Sequence, residues 1–423
     1  MLFGGSVIVL PKERYMINTG DTAFVLIAAA MVLLMTPGLA FFYGGMVRRK
    51  NILGVLMQCF IIMCVLGLQW VIFGYSLSFA PGNSFIGSLD WVMLKGVRFE
   101  PNADYAATIP HQAFMIFQAM FAIITPALII GAFAERMKFS AFLVFTLLWS
   151  FFVYDPIAHM VWGTGGFLKN LGVQDFAGGI VVHINAGIAA LVAAIYLGKR
   201  NHFPQAVAPH NLPFTVLGAG LLWFGWFGFN AGSALAANPI AVNAFVVTNT
   251  AGAAAGLTWA LIDWLYNGKP TMFGTITGAI AGLAAITPAA GFVGVGSAIF
   301  IGFSVSLIGF FMVAIVKFKF AYDDSLDAFG VHGIGGIIGV LSTGLFASKA
   351  INPAGADGLF NGNSHFFLIQ LAAVLFTVIY SLVVTFMILK VVDMVMGVRV
   401  TEKDEAVGLD LTQHKETAYT VLE

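Results

Sequence analysis

Residues 52–79 read ILGVLMQCFIIMCVLGLQWVIFGYSLSF, and this stretch decides the class of fold. It contains no Asp, Glu, Lys or Arg. A helix needs about 20 apolar residues to cross the hydrocarbon core of a bilayer, and this stretch is longer than that. It therefore predicts a helix that spans a membrane.

The same criterion predicts eleven spans along the chain. They cover roughly residues 23–43, 52–79, 114–133, 141–161, 179–197, 214–234, 244–265, 273–288, 292–316, 331–346 and 366–392. The sequence lacks the short alternating segments that are typical of a membrane β-barrel. We therefore expect an all-α polytopic membrane protein with eleven transmembrane helices.

The composition agrees with a membrane protein and excludes most soluble classes. Of 423 residues, 59% are hydrophobic and only 9% are charged, whereas about 25% of the residues of a soluble domain are charged. Because a soluble fold of this size could not cover its surface with so few charges, a cytosolic enzyme is close to excluded. The 20 basic residues balance the 20 acidic ones, and without a basic tract nothing indicates nucleic-acid binding.

The basic residues are distributed unevenly among the predicted loops. Fourteen of the 20 lie with or after the odd-numbered spans, and six lie on the other side. By the positive-inside rule, the N-terminus is outside the cell membrane and the C-terminus is in the cytoplasm. The N-terminal residues, which begin Met-Leu-Phe-Gly-Gly, lack the basic region of a signal peptide, so we expect them to belong to the mature protein.

Two short sequence motifs that each occur twice predict an internal repeat. The sequence Ile-Thr-Pro-Ala occurs at residues 124–127 in span three and again at 286–289 in span eight, and Val-His occurs at 182–183 in span five and at 331–332 in span ten. Both pairs are five spans apart, so spans one to five and six to ten would have opposite topology, followed by a long eleventh helix. Inverted repeats with short or interrupted helices indicate a transport site near the midplane of the membrane.

Ionisable side chains within a bilayer are rare and mark functional sites. His183 and His332 occupy equivalent places in the two predicted halves, so pseudo-symmetry would bring them together. A pair of neutral imidazoles can share a proton and can also accept one from a substrate. Two alternatives are a structural role for each group and a metal site. Two His ligands do not make a closed zinc site. We therefore expect no metal and no cofactor. The groups that we single out are Asp155, His159, Asp175, His183, Asp327 and His332.

Two acidic residues near the predicted spans have local roles. Asp175 lies eight residues before His183, where a carboxylate can cap the helix and lend negative potential to a cation site; the structural role is favoured. Asp155, His159 and Trp162 are spaced i, i+4, i+7, so they share a face near the outer end of span four. We expect an Asp–His pair on that face.

Several longer strings resemble the ammonium transporter (Amt/Mep/Rh) family along nearly the whole chain. They stand at residues 36–38 with 42–45, 158–163, 175–183, 226–233 and 323–333. The resemblance implies an eleven-helix homotrimer with one conduction pore in each subunit. It also divides the chain into a transmembrane domain, residues 1–396, and a cytoplasmic regulatory tail, residues 397–423, which implies contact with a PII-type signalling protein.

The resemblance also implies roles for individual residues. Trp162 and Ser233 resemble the outer site that recruits ammonium, helped by Phe121 and Phe229, and this aromatic site is typical of the Amt branch. Phe121 and Phe229 also resemble the stacked gate below that site. His183 and His332 resemble the twin pore histidines of the family. Asp175 resembles the acidic residue that is essential near the recruiting site.

The chemistry of ammonium fits these roles. Cation–π attraction over a Trp face gives about 0.5–2 kcal/mol, far less than the roughly 20 kcal/mol idealised cost of burying a bare ion. We therefore predict a transporter, and not an enzyme, in which ammonium loses a proton at the gate and ammonia passes the two imidazoles. Potassium has no proton to lose. The alternatives are an ammonium sensor with weak transport that signals through the tail, and an intramembrane metalloenzyme, which would require bound metal.

Overall fold

The computed structural model describes residues 16–205 and 208–419, and within these ranges the chain is helical, without a β-strand. Ten of its helices are long and apolar enough to cross a membrane, and one apolar helix is shorter. We number these segments α1 to α11. Their bounds are Thr19–Met46, Arg49–Phe79, His111–Phe133, Phe139–Asn170, Gly179–Leu197, Leu212–Gly232, Pro239–Asn267, Met272–Ile286, Val295–Phe320, Phe329–Phe346 and Ser364–Met396.

The predicted eleven segments and their order are thus confirmed, and the helices extend beyond several of the predicted bounds. The expectation about the first residues lies outside the described part of the chain. At the N-terminal ends of four spans the extension occurs because a polar residue outside the apolar run caps the helix. Asn18, Asn211, Asn238 and Asn363 each precede a span, and each side-chain oxygen accepts a hydrogen bond from a backbone N–H of the first turn.

Helices α8 and α10 are the two shortest segments, which agrees with the short helices that accompany an inverted repeat. Helix α8 has 15 residues and α10 has 18, fewer than any other span in the described ranges. At about 1.5 Å per residue, α8 is shorter than the roughly 30 Å hydrocarbon core. It ends just before Pro288, whose carbonyl accepts a hydrogen bond from Phe176 N, whereas Pro126 in the matching string lies inside the continuous helix α3.

The packing of the helices follows the inverted repeat. Helix α1 packs closely along its repeat partner α6, and α5 packs against its partner α10. Gly187 of α5 and Gly333 of α10 meet so closely that a Cβ at position 187 would collide with the backbone of Gly333. This contact places the first turns of α5 and α10, which carry His183 and His332, side by side in the interior.

The tail after α11 docks on the end of the bundle that carries Arg48 and Arg200, which we call the basic end. Two short helices, α12 (Glu402–Val407) and α13 (Leu409–His414), lie there. Leu409 N donates to Asn51 Oδ1 at 2.8 Å, and Gly54 N donates to Asp410 Oδ1 at 2.9 Å. The tail therefore contacts the membrane helices at the start of α2.

Candidate functional site

Two cavities follow one another in the interior of the bundle. The wide cavity, at the end opposite the basic end, has a volume of about 180 Å³, and its lining includes Phe121, Trp162 and Ser233. The narrow cavity has a volume of about 10 Å³, and its lining includes Phe229 and both His183 and His332. About 10–15 Å³ is the least room that holds one water molecule, so the narrow cavity fits a single molecule of that size.

The wide cavity offers an aromatic face and a hydroxyl oxygen. Trp162 is held in place because its indole Nε1 donates to the Asp175 carbonyl oxygen at 2.9 Å. Ser233 Oγ donates to the Phe229 carbonyl oxygen at 2.9 Å. Since the hydroxyl hydrogen is used in this way, the lone pairs of Ser233 Oγ remain to accept hydrogen bonds from a cation with N–H groups.

Two phenylalanine rings separate the cavities. Phe121 and Phe229 have ring centroids 4.5 Å apart at an angle of 51°, and each is 1% exposed. Phe121 also meets Trp162 edge to face, with centroids 6.0 Å apart. Because Phe121 lines the wide cavity and Phe229 the narrow one, the contact between these rings is the apolar barrier between the two spaces.

The two histidines lie beneath that barrier. The rings of His183 and His332 have centroids 5.4 Å apart and planes 10° apart. Trp226 and Phe229 lie beside His183 with centroids 5.5 Å and 6.0 Å away. Among the described residues, neither ring nitrogen of His183 nor Nδ1 of His332 has a hydrogen-bond partner. The juxtaposition agrees with the inverted repeat, whereas the direct hydrogen bond that sharing a proton would require is not formed here.

The helix turns that carry the histidines are unusual in the same way. Gly179–Ile184 and Phe329–Gly333 are both π-helical turns at the start of a span. A π-turn shifts the following side chains around the helix axis and is often found at functional sites. Each of these turns carries one of the two histidines, whose ring planes lie 10° apart.

Asp175 caps the turn that carries His183. Its carboxylate accepts hydrogen bonds from the backbone N–H groups of four residues at 2.6–3.1 Å. These donors are Gly178, Gly179, Ile180 and Val181. The capping role that the sequence favoured is therefore the one its carboxylate has, and both oxygens are occupied by the backbone.

Asp324 is the counterpart of Asp175 in the second half, and the sequence analysis missed it. It lies eight residues before His332, and its carboxylate accepts from Ala328 N at 3.1 Å and Phe329 N at 2.8 Å. Burial and the neighbouring Asp327 raise the pKa of the Asp324 carboxyl. The equal spacing to the histidines was the signal that could have found it. Asp327, which was singled out only as one of the ionisable groups, lies before α10 and pairs with Lys317.

The predicted pair of Asp155 and His159 is wrong. The Asp155 carboxylate accepts from Gln69 Nε2 at 2.8 Å and Ser78 Oγ at 3.4 Å. The ring nitrogens of His159 face the backbone carbonyls of Ser78 and Asn83 at 3.1 Å and 2.8 Å. Each group finds its own partners on the α2 side, because the loop after α2 folds back over this face of α4.

A buried network of ion pairs lies at the basic end. The Glu135 side chain is fully buried and pairs with Arg48 at 2.9 Å and with Arg200 at 2.8 Å, and Arg200 also pairs with Asp323 at 2.8 Å. Burial alone would raise the pKa of Glu135 and of Asp323, but the guanidinium groups and their hydrogen bonds outweigh it and hold both pKa values below their usual range. In the sequence, Arg48 and Arg200 indicated only the orientation of the protein in the membrane. Their ion pairs show that they also connect the loops at this end.

No group of three or more His, Cys, Asp or Glu residues in the described ranges is arranged to hold a metal ion. The site is instead a column of aromatic and imidazole rings that runs from the wide cavity into the narrow one. Such a column can bind a small cation at its wide end and pass a small neutral molecule along its narrow end.

Known proteins share both the sequence and the fold. The profile of the Ammonium Transporter Family matches residues 23–419. A protein named ammonium transporter from Bacillus subtilis (strain 168) is 54% identical over 400 residues, which are 95% of this chain and 98% of that protein. Ammonium transporter Amt1 from Archaeoglobus fulgidus is 47% identical, over 95% of this chain and 100% of that protein.

Solved structures agree with these relatives. The crystal structure of Candida albicans Mep2 matches with a TM-score of 0.87 and 37% identity, over 95% of this chain and 90% of that chain. A structure described as a sensor Amt protein matches with a TM-score of 0.86 and 29% identity, over 93% of this chain and 98% of that chain.

Proposed function

Because this chain belongs to the Ammonium Transporter Family, we propose that it takes up ammonium across the cell membrane through the column of rings that runs from its wide cavity into its narrow one. Its apolar helices make it a multi-pass membrane protein. Curated relatives over nearly the whole length carry the name ammonium transporter, which supports the same substrate here.

Ammonium is recruited in the wide cavity. Trp162 supplies the face of an indole ring and Ser233 a hydroxyl acceptor, while Phe121 closes the floor. Cation–π attraction is worth about 0.5–2 kcal/mol. The Asp175 carboxylate is used by four backbone N–H groups, so it acts on the cation through its negative potential, while the backbone carbonyl of Asp175 holds Trp162 in position.

The apolar barrier favours deprotonation. Beyond Phe121 and Phe229 a charged ammonium would lose its remaining hydration, at an idealised cost of roughly 20 kcal/mol. Neutral ammonia does not meet that cost. We therefore place the loss of the proton on the wide-cavity side of these two rings, where ammonium transfers it to a water molecule of its own hydration shell, with conduction of ammonia below the rings.

The unpaired histidine nitrogens are the observation that carries the proposal. An imidazole nitrogen without a hydrogen-bond partner in a buried site is costly, because a buried polar group loses its bonds to water. His183 has two such nitrogens, and both histidines line a cavity of the size of one small molecule. Ammonia can both donate and accept hydrogen bonds, so it satisfies these nitrogens as it passes.

The decisive experiment records ammonium flux and electrical current together in liposomes that contain the purified protein. We expect ammonium flux that saturates with concentration, without potassium flux. Phe227→Ala is the control variant and should keep the flux of the unchanged protein. Phe227 lies on the same helix as Phe229, but it stacks on Phe245 and lines neither cavity. Liposomes with the folded protein that pass no more ammonium than empty ones would overturn the proposal.

A sensor that transports weakly and signals through the tail is the second candidate. The likeness to a structure described as a sensor Amt protein favours it, as does the contact of the tail with α2. Deletion of residues 397–423 separates the two functions. Strong flux that survives the deletion supports a transporter, whereas flux close to that of empty liposomes in both proteins supports a sensor.

Assembly and orientation complete the proposal. We place the N-terminus outside and the basic end in the cytoplasm, with residues 1–396 as the transmembrane domain and residues 397–423 as a regulatory tail. We propose a homotrimer with one pore in each subunit, and a PII-type protein as the partner of the cytoplasmic face. Mass measurement in detergent tests the trimer, and pull-down with and without the tail tests the partner.

A further inference from the structure

The wide cavity contains a cation that belongs to the protein itself. Lys169 lies at the end of α4 and lines this cavity together with Trp162, Tyr105 and Asp104. Its Nζ donates a hydrogen bond to the Trp162 carbonyl oxygen at 2.9 Å. The same Nζ lies 5.6 Å from the centroid of the Tyr105 ring. An ammonium group thus already occupies part of the space where a substrate ammonium would arrive.

The carbonyl that Lys169 contacts is a good acceptor for a cation. Trp162 is the last residue of the helical segment Asp155–Trp162. The last carbonyls of a helix have no partner within the helix and carry the negative end of its dipole. A cation at this position is therefore stabilised by an orphan carbonyl and by the dipole together.

The ring that Lys169 contacts is fixed in position. The Tyr105 hydroxyl donates to the Phe79 carbonyl oxygen and accepts from Thr164 N at 3.1 Å. The ring also stacks on Phe114, with centroids 5.0 Å apart and planes 13° apart. Because the ring cannot turn away, its face is a permanent surface for a cation.

We propose that the Trp162 carbonyl and the Tyr105 ring form a second cation subsite at the mouth of the wide cavity, and that the Lys169 ammonium competes there with incoming ammonium and other small primary-amine cations. The inference rests on the proposed recruitment of ammonium in this cavity. Lys169 then lowers the affinity of the cavity for ammonium, because it raises the ammonium concentration at which the protein saturates.

Competition has two physical parts. The Lys169 ammonium directly occupies the hydrogen-bonding position at the Trp162 carbonyl and the face of the Tyr105 ring. Its charge also repels a second cation in the same cavity. Charges exposed to solvent are screened within about 8 Å at physiological salt, so the repulsive part weakens as the salt concentration rises. A structural role for Lys169 predicts the opposite change on substitution, since loss of its bond to Trp162 would loosen the site and weaken ammonium binding.

The experiment compares Lys169→Met with the unchanged protein. Methionine keeps the length of the side chain and removes the charge. We expect the KM for ammonium in liposomes and the Kd measured by calorimetry to fall by about threefold to tenfold, and a rise in sodium chloride to shrink the difference. Lys169→Arg keeps the charge, so we expect it to stay closer to the unchanged protein than Lys169→Met.

Lys349→Met is the matched control, because Lys349 lies in another loop at the same end of the bundle and lines neither cavity. It removes one charge from that surface and should leave both constants unchanged. If Lys169→Met does not fold, Lys169→Gln takes its place. An equal or weaker affinity in the folded variant would overturn the inference. Absence of ammonium flux in the unchanged protein would instead count against the proposed function, and the calorimetric Kd would still test the subsite.

Discussion

The imidazole rings of His183 and His332 lie nearly parallel, with their centroids 5.4 Å apart, although 149 positions separate them in the sequence. The inverted repeat produces this relationship, because each histidine stands on a π-helical turn at the start of the equivalent span. The two halves thus contribute one ring each to the same narrow cavity.

Replacement of either histidine should weaken the selection of ammonium over potassium. In His183→Ala or His332→Ala the narrow cavity becomes wider and loses one of its two polar groups, so we expect selectivity to fall by about tenfold or more, which corresponds to about 1.4 kcal/mol. The measurement is ammonium and potassium flux in liposomes. His365→Ala, outside both cavities, is the control. Unchanged transport and selectivity in both variants would contradict the paired role.

Removal of a ring at the barrier should join the two cavities. In Phe229→Ala the contact with Phe121 is lost, so hydrated cations gain a path to the histidines. We expect a potassium current that the unchanged protein lacks, recorded in planar bilayers. Because Phe→Ala in a packed interior costs about 3–5 kcal/mol, the variant must first be shown to be folded. Phe227→Ala is again the control. A folded Phe229→Ala that passes no potassium current would contradict the assignment of Phe121 and Phe229 as the gate.

The two capping carboxylates should differ in their effect on stability. Asp175 accepts four backbone N–H groups, whereas Asp324 accepts two. A hydrogen bond to a charged group contributes about 1.5–3 kcal/mol. We expect Asp175→Asn to lower the thermal midpoint in detergent more than Asp324→Asn does. Equal midpoints for the two variants would show that the number of accepted bonds does not set the stability.

The ion pairs at the basic end should make stability depend on acid pH. Arg200 and Arg48 hold the pKa of Glu135 below its usual value, and Arg200 holds down that of Asp323. An acid with a lowered folded-state pKa contributes stability above its unfolded-state value, about 4.3 for Glu and 3.9 for Asp, and loses it as pH falls through the folded-state value. We therefore expect the thermal midpoint to fall steeply below pH of about 4.

Substitution of Glu135 tests the origin of this dependence. Removal of one partner from a buried ion pair costs about 3–5 kcal/mol, so Glu135→Gln should be less stable at neutral pH and should lose less on acidification. Glu416→Gln, at an exposed position without an ion pair among the described residues, is the control. A pH profile of Glu135→Gln that parallels that of the unchanged protein would contradict the assignment.

The sequence by itself determined the class of fold and the number of helical segments. Stretches such as residues 52–79 have no charged residue, and in lipid only a helix or a closed barrel satisfies every backbone polar group. Two repeated motifs, each five spans apart, also determined that His183 and His332 are equivalent. The spacing of eight residues before each histidine would also have identified Asp324 as the counterpart of Asp175.

Only the tertiary structure decided which groups meet. Asp155 and His159 share a helix face, yet each bonds to the α2 side and its following loop, because a side chain chooses among all neighbours and not only those of its own helix. The Lys169 ammonium reaches the Trp162 carbonyl only because the helix of α4 is broken between Trp162 and Phe167 and the chain turns back there. Local periodicity predicts helices, whereas cavities and ion pairs arise from contacts between distant segments, which no local pattern encodes.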